Sequence, residues 1–90
     1  MKCIFTEQAE AHLAAIAGEL ASDEPAKALD FIHEIEEYCQ DICIFPEAYL
    51  LAPEYGEHLR KAPFRQYSVL YTVKADVLYI VQITQAKLDI

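Results

Sequence analysis

Glycine appears only twice in the 90 residues, at Gly18 and Gly56, too far apart to form a glycine-rich loop that cradles a phosphate. Cysteine appears three times, at Cys3, Cys39 and Cys43, an odd count that argues against a disulfide framework and for free thiols. Cys39 and Cys43 lie four apart on what reads as one helix. His33 or His58 would complete a zinc set only with a second pair at finger spacing, and there is none, so no metal and no cofactor is expected. Long apolar runs are also missing. None approaches the roughly 18 residues that a membrane span needs. Met1-Lys2-Cys3-Ile4-Phe5-Thr6-Glu7 turns acidic before a signal core could form, so the cytoplasm is the expected location and no membrane is expected as a partner. Cations are scarce, with seven Lys and Arg against fifteen Asp and Glu and a net charge of −8. That balance argues against a general polyanion binder, and no sequence-specific nucleic-acid binding is expected, because such affinity rests largely on cations that neutralise phosphates.

What is present is enough for one core. With 54% hydrophobic residues and 24% charged, the chain is too apolar to be disordered, and residues 1–90 are expected to form a single domain. The charge is polarised along the chain. Residues 1–57 hold thirteen acids against Lys2 and Lys27, net −11, whereas residues 58–90 hold Arg60, Lys61, Arg65, Lys74 and Lys87 against Asp76 and Asp89, net +3. An acidic face and a locally basic one follow, which bears on partners rather than on fold.

The spacing predicts a short strand over Lys2 to Phe5, then Thr6 as a helix N-cap with Glu7 in the first turn. Ala9, Leu13, Ile16, Ala17 and Leu20 recur at helical spacing, giving a helix near 7–21. Pro25 suits a helix's first turn, and Ala28, Leu29, Ile32, Ile35, Cys39 and Ile42 make the apolar stripe of a second helix near 25–44. So short a break predicts an antiparallel hairpin. Pro46 ends the second helix, and Glu47 to Gly56 reads as a loop. Strands follow near 58–62, closed by Pro63, then 67–74 and 77–84, where residues alternate with period two and β-branched and aromatic side chains abound. Lys74-Ala75-Asp76 is a hairpin connection. The expected fold is therefore α+β: a short N-terminal strand and an antiparallel two-helix hairpin packed on an antiparallel sheet.

No residue declares a catalytic motif. His12 and His33 lie on helix flanks among acids and read as surface histidines, while His58 precedes the basic run and is placed to meet a partner's anion. Ser68 lacks a glycine elbow and a neighbouring base. The acids Glu34, Glu36 and Glu37 read as a solvated helix face, and Tyr67, Tyr71 and Tyr79 as core.

The ordered run of Phe45-Pro46, Pro53-Glu54-Tyr55-Gly56, Leu59-Arg60, Arg65 through Val73 and Val77 through Ile83 resembles the ParE/RelE superfamily of small bacterial toxins. It is more similar to the ParE branch, often called plasmid-stabilisation proteins. Thr6-Glu7-Gln8-Ala9, Leu13-Ala14-Ala15-Ile16 and Pro25 through Ile35 resemble the two family helices, so the likeness covers nearly the whole chain. It implies a helical hairpin on a twisted antiparallel sheet and the toxin's role in a type II toxin–antitoxin pair, with a protein antitoxin as partner. RelE-like members cleave messenger RNA on the ribosome, which takes cations for the phosphorane and an acid–base pair. Where those members carry an Arg three positions before the strand tyrosine, this chain has Ser68 before Tyr71, and Thr84-Gln85-Ala86-Lys87 lacks their late His or Tyr. The ParE branch implies instead a non-enzymatic toxin that binds DNA gyrase. Arg60, Lys61, Arg65 and Lys87 are the candidate target contacts, the alternative being that they are solvated charges balancing the acidic helices. Gln82 and Lys87 stand where ParE members carry arginines, so a weakened toxin is expected. The other readings are a RelE-like ribosome-dependent endonuclease and a non-toxic, repurposed protein-binding module.

Overall fold

The structure is a computed structural model that describes residues 1–86. Its elements are β1 (Lys2–Phe5), α1 (Glu7–Asp23), α2 (Pro25–Ile44), β2 (Arg60–Phe64), β3 (Tyr67–Lys74) and β4 (Val77–Gln85). Local chemistry explains the boundaries. The Thr6 hydroxyl accepts from the Ala9 amide at 3.2 Å and donates to the Val81 carbonyl at 3.3 Å, so one residue caps α1 and fastens it to β4. Glu24 alone separates the helices: its amide donates to the Leu20 carbonyl at 3.0 Å, and Pro25, which has no amide hydrogen to lose, opens α2. The two helices pack against each other, and α1 packs on β4.

The four strands run in the order β1-β4-β3-β2. The meander of β2, β3 and β4 is antiparallel as expected, but β1 pairs parallel with β4, Ile4 lying opposite Tyr79, and the sheet is mixed. A parallel pair needs a long crossover, which the helical hairpin and the meander together supply. Period-two alternation carries no information about pairing direction, so this could not be read from β1 itself. The second expected strand also moves. It covers Arg60–Phe64 rather than 58–62, because His58 turns at φ 62 and Pro63 lies inside the strand instead of closing it. β2 is an edge strand whose Lys61 amide points outward to the Leu50 carbonyl at 3.1 Å. By the two-residue repeat the nitrogen of Pro63 also faces away from β3, and the ladder loses no bond there.

The core is a sandwich of α2 and the sheet. Phe31, Ile35, Cys39 and Ile42 form the buried stripe of α2, meeting Val69, Tyr71, Leu78, Ile80 and Ile83. Leu29, expected in that stripe, is 61% exposed, whereas Phe31, which widens the stripe in the sequence, is buried. In β4 the alternation slips: the register passes from Leu70 opposite Gln82 to Tyr71 opposite Ile80, leaving Val81 as a bulge. Simple alternation put Ile80 and Ile83 on opposite faces, and the extra residue lets both face the helices.

Candidate functional site

The strands contain Lys2, Arg60, Lys61 and Lys74 and no acid, while α1 and α2 contain nine acids and only Lys27. Folding thus turns polarity along the chain into polarity between the layers. Inward residues Cys3, Phe5, Ala62, Leu78 and Ile80 fix the parity of each strand, which places Lys2, Ile4, Lys61, Lys74, Tyr79 and Gln82 on the face away from the helices. One cross-strand row on that face reads Lys61, Leu70, Gln82, and a second reads Lys74, Val77, Lys2. Cations on this face therefore meet no carboxylate from their own sheet.

The three candidate contacts among the described residues, Arg60, Lys61 and Arg65, are not gathered into one patch. Lys61 is exposed on the helix-free face. Arg60, its neighbour, points the other way and donates from Nη1 to the Tyr49 carbonyl at 2.6 Å, holding the long loop after α2. Arg65 occupies the first position of the two-residue β2–β3 turn with φ 54, pairs with Glu34 of α2, and lies over the rings of Phe31 and Phe64 at 5.3 and 5.5 Å. Its charge is engaged inside the molecule. Lys87 lies outside the described residues; Ala86 before it donates to the Gln66 carbonyl at 2.8 Å, so the described chain ends beside the Arg65 turn.

Arg60 and His58 border a cleft of about 400 Å³, with Glu47, Leu51 and Val73 around it and Tyr71 at its base. The Tyr71 hydroxyl donates to the Pro46 carbonyl at 2.6 Å, and burial pushes it up to about 12, with the nearby Arg60 charge opposing the shift. Next to it the Tyr38 hydroxyl donates to that of Tyr49 at 3.1 Å, and burial, followed by that contact, raises the Tyr38 hydroxyl well above its usual range. His12 accepts the Ile83 amide at Nδ1 over 3.2 Å, and so closes a backbone group of β4 beyond the end of β1. His33 is exposed on α2.

Sequence reasoning missed one surface. Ile44, Phe45, Leu50 and Leu51 are 66, 72, 84 and 56% exposed, and all belong to the end of α2 and the loop that follows. The signal was Tyr49-Leu50-Leu51-Ala52, an apolar run inside a segment with no period. Among the described residues no helix is long and apolar enough to cross a membrane.

Helices covering one sheet face, cations on the other and a loop with exposed apolar side chains define a small α+β module. The chain belongs to the ParE toxin family: the model for the ParE toxin of the type II toxin-antitoxin system, parDE, matches residues 3–89. No curated relative matches it. Among solved structures it is similar to a chain of the chromosomal ParDE TA system from P. aeruginosa, with TM-score 0.81 and 22% identity over 97% of each chain, a likeness of fold.

Proposed function

We propose that this chain is a toxin that acts in the cytoplasm by binding DNA gyrase without chemistry of its own, and that a protein antitoxin neutralises it. Membership of the ParE family supports the toxin role. The observation that carries the non-enzymatic reading is the state of the groups an RNA-cutting site would need. Tyr71 is buried with its hydroxyl committed to the Pro46 carbonyl, His12 is committed to the Ile83 amide, and Arg65 is paired with Glu34. A general acid or base must reach its proton within about 3 Å of substrate, and these groups are occupied with holding the fold. The target surface in this reading is the helix-free face around Lys61, where charge complementarity would steer an acidic patch of the target. The antitoxin's amphipathic segment would cover the exposed apolar residues Ile44, Phe45, Leu50 and Leu51.

The test pairs two assays on the purified protein. Gyrase supercoiling should be inhibited, and Lys61→Ala should weaken inhibition by about tenfold or more, since a charge-assisted bond contributes about 1.5–3 kcal/mol. Translating extracts should show no codon-specific messenger cleavage. Cleavage without an effect on gyrase would replace this reading with the ribonuclease one, and silence in both assays would favour a repurposed binding module.

A further inference from the structure

The loop after α2 extends the sheet beyond β2 by one short segment. Leu51 lies opposite Arg60 in an antiparallel bridge. On either side the Lys61 amide donates to the Leu50 carbonyl at 3.1 Å and the Ala52 amide donates to the Leu59 carbonyl at 2.8 Å. Those two bonds use the groups that face β2, so the amide and carbonyl of Leu51, between them, face outward from the sheet. Among the described residues neither makes a backbone hydrogen bond. Leu50 and Leu51 are also the exposed apolar side chains of this segment. An open donor and acceptor flanked by exposed apolar side chains is an edge suited to an added strand.

The two-residue repeat gives the edge two different faces. Leu51 shares the face of Arg60, and both border the cleft of about 400 Å³ that reaches Tyr71. Leu50 shares the face of Lys61, and both border a second cavity of about 400 Å³. Arg60 is half-buried, and its bond to the Tyr49 carbonyl fixes the guanidinium without neutralising it. Among the described residues it pairs with no carboxylate, whereas the more exposed Lys27 and Arg65 each have one. In a chain with fifteen Asp and Glu against seven Lys and Arg, that leaves a fixed guanidinium open to a carboxylate from outside. Glu47 on the same cleft disfavours a second negative charge, and Pro46, Leu51 and Val73 give it apolar walls.

We propose that the edge at 50–52 receives an extended peptide as an added strand, and that the peptide residue opposite Leu51 is a single Asp or Glu whose carboxylate enters the Arg60 cleft. That residue stands two strand spacings, about 10 Å, from the Arg60 backbone, a gap that the two long side chains close from opposite ends. Its neighbours in the strand turn to the face of the exposed Leu50 and are apolar. The Leu51 amide and carbonyl supply main-chain bonds, and Arg60 selects the charge. Given the assignment of this loop to the antitoxin, on which this rests, the antitoxin segment seated here is extended and carries one acid between apolar residues.

The experiment titrates the full chain, labelled with nitrogen-15, with acetyl-Val-Leu-Glu-Leu-Val-amide, with the same peptide carrying Gln for Glu, and with inorganic phosphate. The Glu peptide should shift the Leu51 and Arg60 amide resonances and bind about tenfold tighter than the Gln peptide. Arg60→Gln should abolish that preference. Arg60→Lys, which keeps the charge and a donor for the Tyr49 carbonyl, should retain part of it and decides if the Gln variant does not fold. Glu47→Gln should tighten the Glu peptide by a few fold. Leu51→Pro removes the outward amide and leaves the two bonds to β2 in place, so it should weaken both peptides alike. Equal binding of the Glu and Gln peptides would overturn the acidic requirement, and binding that survives Leu51→Pro would overturn strand addition. No binding of either peptide, or phosphate bound at Arg60 more tightly than the Glu peptide, would overturn the whole. In the antitoxin complex, shifts at Ile44 and Phe45 without any at Leu51 would overturn strand addition alone, and shifts at none of the three would overturn the assignment of the loop as well.

Discussion

Replacing Arg65 separates two effects that the structure joins at one residue. Its backbone sits at φ 54, a conformation that costs a residue with a β-carbon about 1–2 kcal/mol and that glycine adopts freely. Its side chain works in the other direction. The ion pair with Glu34 joins side chains that are 43 and 53% exposed, which limits it to roughly 0.2–1 kcal/mol. The guanidinium over Phe31 and Phe64 adds about 0.5–1 kcal/mol for each ring. Arg65→Ala loses these contacts and keeps the backbone cost, so it should destabilise by about 1–3 kcal/mol. Melting should fall by about 4–8 °C for each kcal/mol in a domain of this size. Arg65→Gly loses the same contacts but relieves the backbone; set against glycine's greater freedom in the unfolded chain, it should be more stable than the alanine variant by about 1 kcal/mol. Thermal melts of the two variants measure this difference directly. Equal destabilisation by alanine and glycine would refute the argument, because the backbone would then contribute nothing. Gyrase inhibition adds a second readout at a temperature where both are folded. A guanidinium that contacts the target predicts equal loss of inhibition in both variants despite their unequal stability, whereas a clamp that only holds the turn to α2 predicts that neither loses it.

Two further outcomes follow from the same geometry. The β3–β4 turn holds Ala75 at φ 50 and Asp76 at φ 61, the pair of positive values that favours Asn-Gly, so Ala75→Asn with Asp76→Gly should raise stability by about 1–2 kcal/mol in chemical denaturation; a loss would show that the turn has another form. Tyr71→Phe removes the 2.6 Å bond to the Pro46 carbonyl and should cost about 1–3 kcal/mol, while gyrase inhibition by the folded protein stays within about twofold, a factor worth only about 0.4 kcal/mol; abolished inhibition in a folded Tyr71→Phe protein would place this hydroxyl at the target surface.

The parts of the fold that were legible are those where one local rule decides. Thr6 and Pro25 announced their helix starts because capping and the missing proline amide act within one turn, and the meander showed itself through the period-two pattern in β3 and β4. What was not legible depends on partners distant in sequence. β1 reads the same whether it pairs parallel or antiparallel, and Pro63 is acceptable within β2 only because that strand lies at the sheet edge with the proline nitrogen turned away from β3. The bulge at Val81 reverses the faces of the last strand without changing its composition. The site divides in the same way. Segregation of acids and cations could be read directly from residue order, but Arg60 and Arg65 could not be told apart from Lys61, because their engagement with Tyr49 and with Glu34 spans 11 and 31 positions of the chain.

Gln82 tests whether the helix-free face is the target surface. It lies in one row with Leu70 and Lys61, two strand spacings from the lysine, which at about 4.8 Å per strand places a new cation roughly 10 Å away. Lys61 is exposed and Gln82 half-buried, and repulsion between two charges at that distance is about 0.4 kcal/mol in water and falls further across a Debye length of about 8 Å. Gln82→Arg should therefore fold normally. Resemblance to ParE toxins implies an arginine here, and one charge-assisted bond to the target contributes about 1.5–3 kcal/mol, equivalent to a gain of about ten- to a hundredfold in affinity. The concentration of protein that half-inhibits gyrase supercoiling should fall accordingly, and growth inhibition on induced expression should rise from a weak starting level. Combining it with Lys87→Arg, which adds a bidentate fork without adding charge, should deepen both effects. Antitoxin binding, assigned to the loop with Phe45 and Leu50, should be nearly unchanged, and this separates a gain at the target from a general increase in association. If Gln82→Arg folds and inhibits no better than the parent, the row from Lys61 to Gln82 is not where gyrase is held, and the cleft bordered by Arg60 and His58 becomes the surface to test.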